Sequence, residues 1–194
     1  MGKITVINNI SLDGVMQAPA SADEDTRGGF THGGWTKPYQ DDVMGKKMGE
    51  MMASGKDNGS MLFGRRTYEH LFSVWANKSD NPFSEHLNKI QKYVASTTLK
   101  EPLPWQNSIL LKGDVTGAIE NLKSRENKNL AILGSGELIK SLIQNNLIDE
   151  FVLLIFPVVL GTGRRLFPEN YFKLRLVENI KTTAGVTIAT YKTA

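Results

Sequence analysis

The sequence lacks cysteine entirely and has few histidines. Without cysteine, disulfide bonds, thiolate nucleophiles and cysteine-ligated metal sites are excluded. The three histidines, His32, His70 and His86, lie in no spacing typical of metal ligands. We therefore predict that the protein holds no metal ion.

Long hydrophobic runs are also missing. The longest, FVLLIFPVVL, spans residues 151–160, contains Pro157 and has about half the length that a membrane-spanning helix needs. The first residues, MGKITVINNISLDG, do not contain the extended apolar core of a signal peptide. We expect a cytoplasmic protein that does not bind membranes.

Strong charge of either sign is absent as well. The formal net charge is +3, and no run of basic residues forms a stripe of the kind that binds nucleic acid. A chain of 194 residues is long enough to bury one sizeable hydrophobic core. We expect a small molecule rather than a nucleic acid as the binding partner, and a single domain over residues 1–194.

Segments with the apolar pattern of strands alternate with segments of helical periodicity. The predicted strands cover residues 3–10, 59–64, 92–97, 108–113, 129–134 and 149–159. The predicted helices run from Asp41 or Asp42 to Ser54, over 65–75 and 83–91, and onward from Asp114 and Ser135, which we expect to cap their helices. Two more strands within 175–193 form an antiparallel pair. This order predicts an α/β fold with a mixed, mostly parallel sheet and helices on both faces.

Residues 14–40 show no regular hydrophobic pattern and contain two Gly-Gly pairs. Loops of this length inside compact domains are usually functional lids or disordered segments. We predict a lid that closes over a bound substrate. Trp35 in this loop has two interpretations: its ring stacks on a flat heterocycle, or it fastens the lid to the rest of the protein.

Three strand-to-helix turns carry residues suited to phosphate. In AILGSGEL, Gly134, Ser135 and Gly136 join a strand to a helix, whose N-terminal N–H groups and dipole favour an anion. The alternative is a tight turn without a ligand. The third glycine and the ribose-binding acidic residue of the Rossmann fingerprint are missing, so the turn does not match that motif.

The second turn, MLFGRRTYEHL, places Arg65, Arg66 and Thr67 after a glycine at the start of a helix. Arginine offers bidentate donors to phosphate oxygens, but a solvated arginine pair is the alternative. The third turn, YVASTTL, has Ser96 and Thr97 after a strand, where hydroxyls either bind ribose or phosphate or simply close the turn. The carboxyl ends of parallel strands share one edge, so the three turns together suit a dinucleotide, and the arginines favour NADP over NAD.

In order and spacing, SLDG after the first strand, FGRRTYE, VAST and ILGSGELIKSLIQNNLIDEFVLLIFPVVLGTGRRLFP resemble the dihydrofolate reductase-like superfamily. The likeness is greatest to the RibD C-terminal domain family, the reductase half of the bacterial bifunctional deaminase-reductase of riboflavin biosynthesis. It covers nearly the whole chain. The resemblance implies a three-layer α/β/α fold, NADPH as the cofactor and a homodimer.

The resemblance also implies roles for the residues at matching positions. The pyrophosphate site would comprise Gly134, Ser135, Gly136, Glu137 and Leu138. The adenosine-side phosphates would lie against Gly64, Arg65, Arg66 and Thr67, with Ser96 and Thr97 as further contacts. The turn that closes the substrate pocket would contain Gly161 and Gly163, followed by Arg164 and Arg165, which either meet a substrate phosphate or are solvated.

The sequence departs from the family pattern at a few positions. Glu137 stands where some folate reductases have a basic residue. Asp41 and Asp42 lie near the helix start where folate reductases hold the pterin with a carboxylate, and we interpret both as helix caps. The zinc deaminase that is often fused to the riboflavin reductase has cysteine ligands, which this chain lacks.

The implied function is the NADPH-dependent reduction of a small heterocyclic or sugar-phosphate substrate, similar to 5-amino-6-(5-phosphoribosylamino)uracil reductase. Two alternatives stay open: a dihydrofolate reductase and a non-catalytic, dimeric NADP-binding module. Asp13, after the first strand, is the candidate catalytic acid or substrate-orienting group. Its alternative is a plain turn residue in LDG.

Overall fold

A computed structural model describes residues 2–54, 59–78, 81–125, 127–167, 169 and 171–194 of the chain. Its strands are β1 (Ile4–Ser11), β2 (Gly59–Gly64), β3 (Gln91–Ala95), β4 (Ser108–Leu111), β5 (Asn129–Leu133), β6 (Glu150–Phe156), β7 (Leu174–Lys181) and β8 (Thr187–Thr193). Its α-helices are α1 (Asp42–Ser54), α2 (Arg65–Trp75), α3 (Pro82–Lys89), α4 (Val115–Ser124) and α5 (Gly136–Gln144). Short 3-10 turns occur at Arg27–Gly29 and Lys37–Tyr39.

The strands hydrogen-bond in the order β4-β3-β2-β5-β1-β6-β8-β7. Strand β2 is parallel to β3 and to β5, and β3 is parallel to β4. Strands β6 and β7 are both antiparallel to β8, as the sequence predicted for the last two strands. The predicted α/β class with a mixed, mostly parallel sheet is confirmed.

The chain divides into two compact units. Unit 1 comprises Met1–Thr5 and Met52–Leu147, and unit 2 comprises Val6–Met51 and Ile148–Ala194. The single domain over residues 1–194 stays a prediction. Among the helices of the described ranges, none is long and apolar enough to cross a membrane.

Unit 1 has a core built on the parallel strands β2 and β3. Phe63 and Val94 are fully buried there, together with Leu87 and Tyr68 from the neighbouring helices. The Tyr68 hydroxyl accepts a hydrogen bond from the backbone N–H of Trp105 at 2.9 Å, which satisfies its polar end inside the core. Strands buried on both faces have continuous apolar runs, which explains the unbroken MLF and YVA segments.

Lys92 on β3 is a fully buried cation within unit 1. Its ammonium donates to the carbonyls of Leu87 and Ile90, at 2.6 and 2.8 Å, and lies 4.9 Å from the Trp105 ring centre. These carbonyls are at the C-terminal end of α3, where the helix dipole stabilises a positive charge. Burial nevertheless lowers the pKa of Lys92 to about 8, because the charged form loses its hydration.

Unit 2 is built on the antiparallel strands β6, β8 and β7. Leu154 on β6 lies opposite Ile188 on β8, and both side chains are buried in the core of this unit. Helix α1 adds Met44, and Met48 and Met51 pack partly buried against the same core. The spacing of these methionines along one face explains why the helix forms there.

Residues 14–40 form a loop that packs into unit 2, and its predicted closure over a substrate stays a prediction. Phe30 and Trp35 are only 5% and 7% exposed, because they enter the hydrophobic core of the unit. Within the loop, the N–H of Gly34 donates to the carbonyl of Ala18 at 2.8 Å, which closes the segment between these two residues. A loop closed in this way and filled by its own side chains is an Ω-type loop.

Trp35 fastens this loop. Its indole N–H donates to the carbonyl of Gln17 at 2.8 Å, and its ring packs edge-on against Phe156 with the centroids 5.3 Å apart. A ring buried on this scale has little surface for stacking on a ligand. Of the two interpretations of Trp35, the structure favours the fastening role, and the predicted contact with substrate gains no support.

Some element ends differ from the predicted ones for local reasons. Strand β6 ends at Phe156 rather than near residue 159, because Pro157 has no N–H for the ladder. Helix α3 begins one residue before the predicted start. The side chain of Asn81 accepts the N–H of Phe83 at 2.9 Å and caps the helix there.

Candidate functional site

Within unit 1, two strand-to-helix turns are hydrogen-bonded to each other. The N–H of Gly64, between β2 and α2, donates to the Ser135 hydroxyl at 3.0 Å. The N–H of Ser135, between β5 and α5, donates to the Thr67 hydroxyl at 2.9 Å. The GSG turn and the GRRT turn, which the sequence suggested as phosphate sites, are therefore neighbours in space.

The GSG turn has a left-handed backbone, which glycine adopts easily and serine adopts only rarely. Ser135 is in the left-handed region, with φ 58° and ψ 42°, and Gly134 also has a positive φ of 58°. A Cβ at Gly134 would approach the Thr67 side chain to 3.2 Å. Glycine at 134 thus permits both the turn and the close approach of the two segments.

The N-termini of α2 and α5 differ from those of the other α-helices. At α1, α3 and α4, a side-chain oxygen of Asp41, Asn81 or Asp114 accepts a first-turn N–H. Helix α2 begins after Gly64, which has no side chain. Ser135 occupies the cap position of α5, but its hydroxyl accepts the N–H of Gly64. The prediction that its side chain caps the helix is therefore wrong. In the described ranges, neither cap residue offers a side-chain acceptor to these two helices, which suits them to an anion.

Charged side chains flank the two helix starts. Arg65 donates to Glu69 at 2.9 Å on the surface of α2, and Arg66 beside it is exposed. Glu137 in the first turn of α5 lies 3.6 Å from Lys140. The arginines attract a phosphate, whereas the Glu137 carboxylate opposes one.

Ser96 closes the turn after β3. Its buried hydroxyl accepts the N–H groups of Thr98 and Leu99 at 3.1 and 3.0 Å. Thr97 is exposed beside it. The geometry therefore favours the plain turn over a phosphate contact for Ser96, while Thr97 stays a predicted contact.

Asp13 in unit 2 is held by its own chain. Its carboxylate accepts the Ser11 hydroxyl at 2.6 Å and the N–H groups of Leu160 and Gly161 at 3.1 and 2.9 Å, with Arg165 at 3.8 Å. The Ser11 hydrogen bond is the largest of the effects that lower the pKa of Asp13 to about 2. A carboxyl group ionised at neutral pH has no proton to give, so these contacts argue against the predicted acid role.

A pocket of about 400 Å³ lies within unit 2, between residues 27–30 and residues 162–164, with Gln17 at its wall. Gly163 has a φ of 113°, and a Cβ there would come within 2.7 Å of the Val15 side chain. Arg164 lines this pocket, and its role as a substrate contact stays a prediction. Gly161 donates to Asp13 and shapes the adjoining turn.

Gln17 and Arg27 also line this pocket, and neither is part of a recognisable sequence motif. Gln17 is 4% exposed and donates to the carbonyls of Asp25 and Arg27, at 3.0 and 2.9 Å. Its side-chain oxygen accepts the N–H of Arg164 at 2.9 Å. A single glutamine in an irregular segment has no pattern that distinguishes it from a solvated residue, so no sequence signal was available.

Asp41 is also committed to internal contacts. Its carboxylate accepts the N–H of Met44 at 2.8 Å, the Thr183 hydroxyl at 2.9 Å and the N–H of Ala184 at 2.8 Å. These hydrogen bonds, that of Met44 first, hold the pKa of Asp41 well below its usual range. The residue ties α1 to the β7–β8 turn, as a helix cap does.

Comparison with known proteins decides the family. The model of the RibD C-terminal domain matches residues 2–188. The chain belongs to the RibD C-terminal domain family. It is 29% identical over 139 residues to the Bacillus subtilis (strain 168) protein YyaP, covering 68% of this chain and 72% of YyaP. It is 28% identical over 132 residues to YwjB from the same organism, over 60% of this chain and 64% of YwjB, and both relatives are uncharacterised.

Solved structures share the fold of this family member. One is a protein of Shewanella sp. PV-4 provisionally described as a riboflavin biosynthesis protein, with a TM-score of 0.74, 23% identity and 99% coverage of both chains. Another is a pyrimidine reductase-like protein of Corynebacterium diphtheriae, with a TM-score of 0.66, 12% identity, and coverage of 100% of this chain and 92% of that one. The Acinetobacter baumannii RibD matches at a TM-score of 0.63 and 12% identity, and all of this chain covers 58% of it. Because these identities are low, the likeness establishes the fold alone, which is dihydrofolate reductase-like.

Proposed function

We propose that this RibD C-terminal domain protein is an NADPH-dependent reductase whose cofactor binds at the paired starts of α2 and α5. The observation that carries the proposal is the hydrogen-bonded link of Gly64, Thr67 and Ser135, which holds two helix N-termini side by side. Together they offer backbone donors and two positive dipole ends to a pyrophosphate. The group fits because the GSG turn has one short side chain, and that side chain is bonded to Gly64.

The arginines of α2 support NADPH over NADH. Arg65 and Arg66, at the start of α2, would meet the adenosine-side phosphates, including the 2′-phosphate that only NADPH carries. The surface pair of Arg65 with Glu69 contributes only about 0.3–0.5 kcal/mol, so a phosphate can take its place at little cost. Glu137 weakens the opposite end of the site, and Lys140 partly offsets its charge.

Bound NADPH supplies a hydride to a C=N or C=O carbon of the substrate. In unit 2, Asp13 orients the turn at Leu160 and Gly161 through its two backbone hydrogen bonds. Because the pKa of Asp13 is about 2, we propose that a water molecule donates the proton that completes the reduction. Gly163 and Arg164 are the proposed substrate-side residues, next to this turn.

The family suggests the wider setting of the reaction. We propose a small heterocyclic or sugar-phosphate substrate, a homodimer, a cytoplasmic location and a single domain. The names of the Shewanella and Corynebacterium proteins, which refer to riboflavin biosynthesis and to a pyrimidine reductase, support this substrate class.

Two other functions make different demands on the structure. A folate reductase needs a carboxylate free to hold the pterin, whereas Asp41 is occupied by Met44, Thr183 and Ala184. A non-catalytic module would bind NADPH without turning over any pyrimidine or pterin. These contacts of Asp41 therefore favour a pyrimidine-type reductase over a folate reductase.

Thermal unfolding with NADPH, with NADH and without nucleotide tests the proposal. A ligand that binds only the native state raises the melting temperature. We expect a larger shift with NADPH than with NADH, and a smaller NADPH shift in the double variant Arg65→Ala/Arg66→Ala. No shift with either nucleotide at saturating concentration would contradict the proposal.

A further inference from the structure

Gln17 places a buried side-chain amide, only 4% exposed, inside unit 2. Its amide nitrogen donates to the carbonyls of Asp25 and Arg27, at 3.0 and 2.9 Å. Its amide oxygen accepts the N–H of Arg164 at 2.9 Å. One planar group therefore uses both of its N–H donors and its oxygen to join two segments that are distant in sequence. Such a fully bonded buried amide is a directional link between the segments as well as a packed side chain.

Backbone hydrogen bonds tie the second of these segments to the start of the loop of residues 14–40. The N–H of Met16 donates to the carbonyl of Arg164 at 2.9 Å, and the N–H of Leu166 donates to the carbonyl of Gly14 at 3.0 Å. Both bonds end at the first residues of the loop. The side chain of Gln17 extends the connection to the far part of the loop.

Gly163 packs closely against the same two parts of the loop. A Cβ at Gly163 would come within 2.7 Å of the Val15 side chain and within 2.8 Å of the Phe30 ring. Phe30 is buried, so its ring fills the space where the far part of the loop meets the turn. Apolar packing holds the two segments together, and the directional hydrogen bonds of Gln17 fix their relative position.

The backbone that carries the Gln17 side chain is fixed separately. The indole N–H of Trp35 donates to the Gln17 carbonyl at 2.8 Å, and the Thr36 hydroxyl donates to the Pro19 carbonyl at 2.7 Å. These bonds join the two strands of the loop next to Gln17 without using its side-chain amide. A substitution that changes only the amide of Gln17 therefore leaves the base of the loop in place.

We propose that Gln17 is a positioning residue that joins the far part of the loop, residues 25–30, to the turn of residues 160–166, so that both enclose the unit 2 pocket as one body. The pocket lies between these two segments, and the Gln17 link sets the distance between its walls. Any closure of the loop then carries the turn with it. The part that this turn plays in the reaction rests on the proposed function, whereas the link itself does not.

Spin-label distances across the pocket test the link. The chain contains no cysteine, so Thr26→Cys and Thr162→Cys, both at exposed positions, allow specific labelling on the two sides. Electron paramagnetic resonance should give one narrow distance distribution in the labelled parent chain. Gln17→Met keeps the length of the side chain but removes its three hydrogen bonds, and the distribution should become broad.

Two further variants sharpen this test. Thr36→Val is the matched control, because it removes a buried hydrogen bond from the base of the same loop and leaves the Gln17 amide intact. Its distance distribution should stay narrow. Gln17→Glu keeps an oxygen for the Arg164 N–H but removes the amide donors to the loop, so it should broaden the distribution as well.

The kinetic test uses NADPH with 5-amino-6-(5-phosphoribosylamino)uracil as the probe. Gln17→Met should lower kcat/KM by about tenfold to a hundredfold, because a small displacement of substrate-positioning groups has effects of this size. The dissociation constant for NADPH should not change, since its proposed site lies in unit 1. Thr36→Val should keep wild-type kinetics, which a general loosening of the loop would not allow.

A narrow distribution in Gln17→Met, or equal broadening in Gln17→Met and Thr36→Val, would overturn the proposal. Wild-type distances in Gln17→Glu would also contradict it, because the link would then not need its loop end. No turnover of the probe by the wild type would contradict the proposed function and the kinetic role of Gln17 with it. The spin-label distances would still decide whether the link exists, so the two proposals fail separately.

Discussion

The hydroxyl of Ser135 accepts the backbone N–H of Gly64 at 3.0 Å, across the two turns that begin α5 and α2. The return bond runs from the N–H of Ser135 to the Thr67 hydroxyl at 2.9 Å. Both hydroxyls were predicted as phosphate contacts, yet both are used within the chain. Their first role is to fix the spacing of two helix N-termini.

The link predicts that Thr67→Val weakens NADPH binding without direct loss of a phosphate contact. Valine has the shape of threonine but cannot accept the Ser135 N–H. A neutral hydrogen bond contributes about 1 kcal/mol, so the dissociation constant for NADPH should rise about fivefold to tenfold in calorimetric titration.

Thr67→Ser is the matched variant, because it keeps the hydroxyl. It should bind NADPH close to the wild-type affinity, and Ser135→Ala should resemble Thr67→Val. The double variant Thr67→Val/Ser135→Ala should lose less NADPH binding free energy than the sum of the losses in the two single variants, because the two residues act on one link. Full additivity would show that the hydroxyls act separately.

Asp13 makes a prediction for acid conditions. Its pKa is lowered in the folded state, so its stabilising contribution is complete above its unfolded pKa and is lost as the pH falls through about 2. The wild type should exceed Asp13→Asn in unfolding free energy by roughly 1–2 kcal/mol at neutral pH. Urea unfolding should show the difference shrinking between about pH 4 and pH 2.

The same residue bears on turnover. If water supplies the proton, the pH–rate profile with any accepted substrate should show no titration above about pH 4 that disappears in Asp13→Asn. Loss of a neutral-pH titration in that variant would restore Asp13 as the catalytic acid.

Lys92 predicts a change at alkaline pH. Burial lowers its folded pKa to about 8, below the ordinary 10.5, so the unfolded state binds more protons between these values. Stability of the wild type relative to Lys92→Met should therefore rise with pH, by roughly 2–3 kcal/mol between about pH 8 and pH 10.5. Urea titrations of both proteins at several pH values measure it. A difference that stays constant with pH would show that Lys92 titrates normally.

Trp35 predicts a stability effect. Trp35→Phe keeps an aromatic ring against Phe156 but loses the hydrogen bond to Gln17, and should cost about 1–2 kcal/mol of unfolding free energy. Tyr39 also contacts Phe156, with centroids 5.8 Å apart, and Tyr39→Phe keeps its ring. That control should change stability by less than about 0.5 kcal/mol. Equal stability of Trp35→Phe and the wild type would point back to a ligand contact.

The sequence was sufficient for the parts of the fold that local chemistry dictates. The apolar run 59–64 and the helix 65–75 were predicted with their observed bounds, and Asp114 caps α4 as expected. Ser135 shows the limit, because its residue type predicts a cap while its left-handed backbone and its partner at Gly64 depend on tertiary structure.

The loop of residues 14–40 shows the limit most clearly. Its glycines and polar residues predicted a lid, and no local pattern indicated that Phe30 and Trp35 are buried in the core of unit 2. Gln17 joins Arg27 to Arg164 across more than a hundred residues, and no local pattern encodes such a contact. Spacing within the chain indicated the GSG and GRRT turns but not the pocket.

A crystal structure of the chain with NADP⁺ tests the central claim most directly. We predict that the pyrophosphate lies within hydrogen-bond distance of the N–H groups of Gly136 and Glu137, and that the 2′-phosphate contacts Arg65 or Arg66. A dinucleotide bound elsewhere, with the starts of α2 and α5 in contact only with water, would contradict the proposed cofactor site.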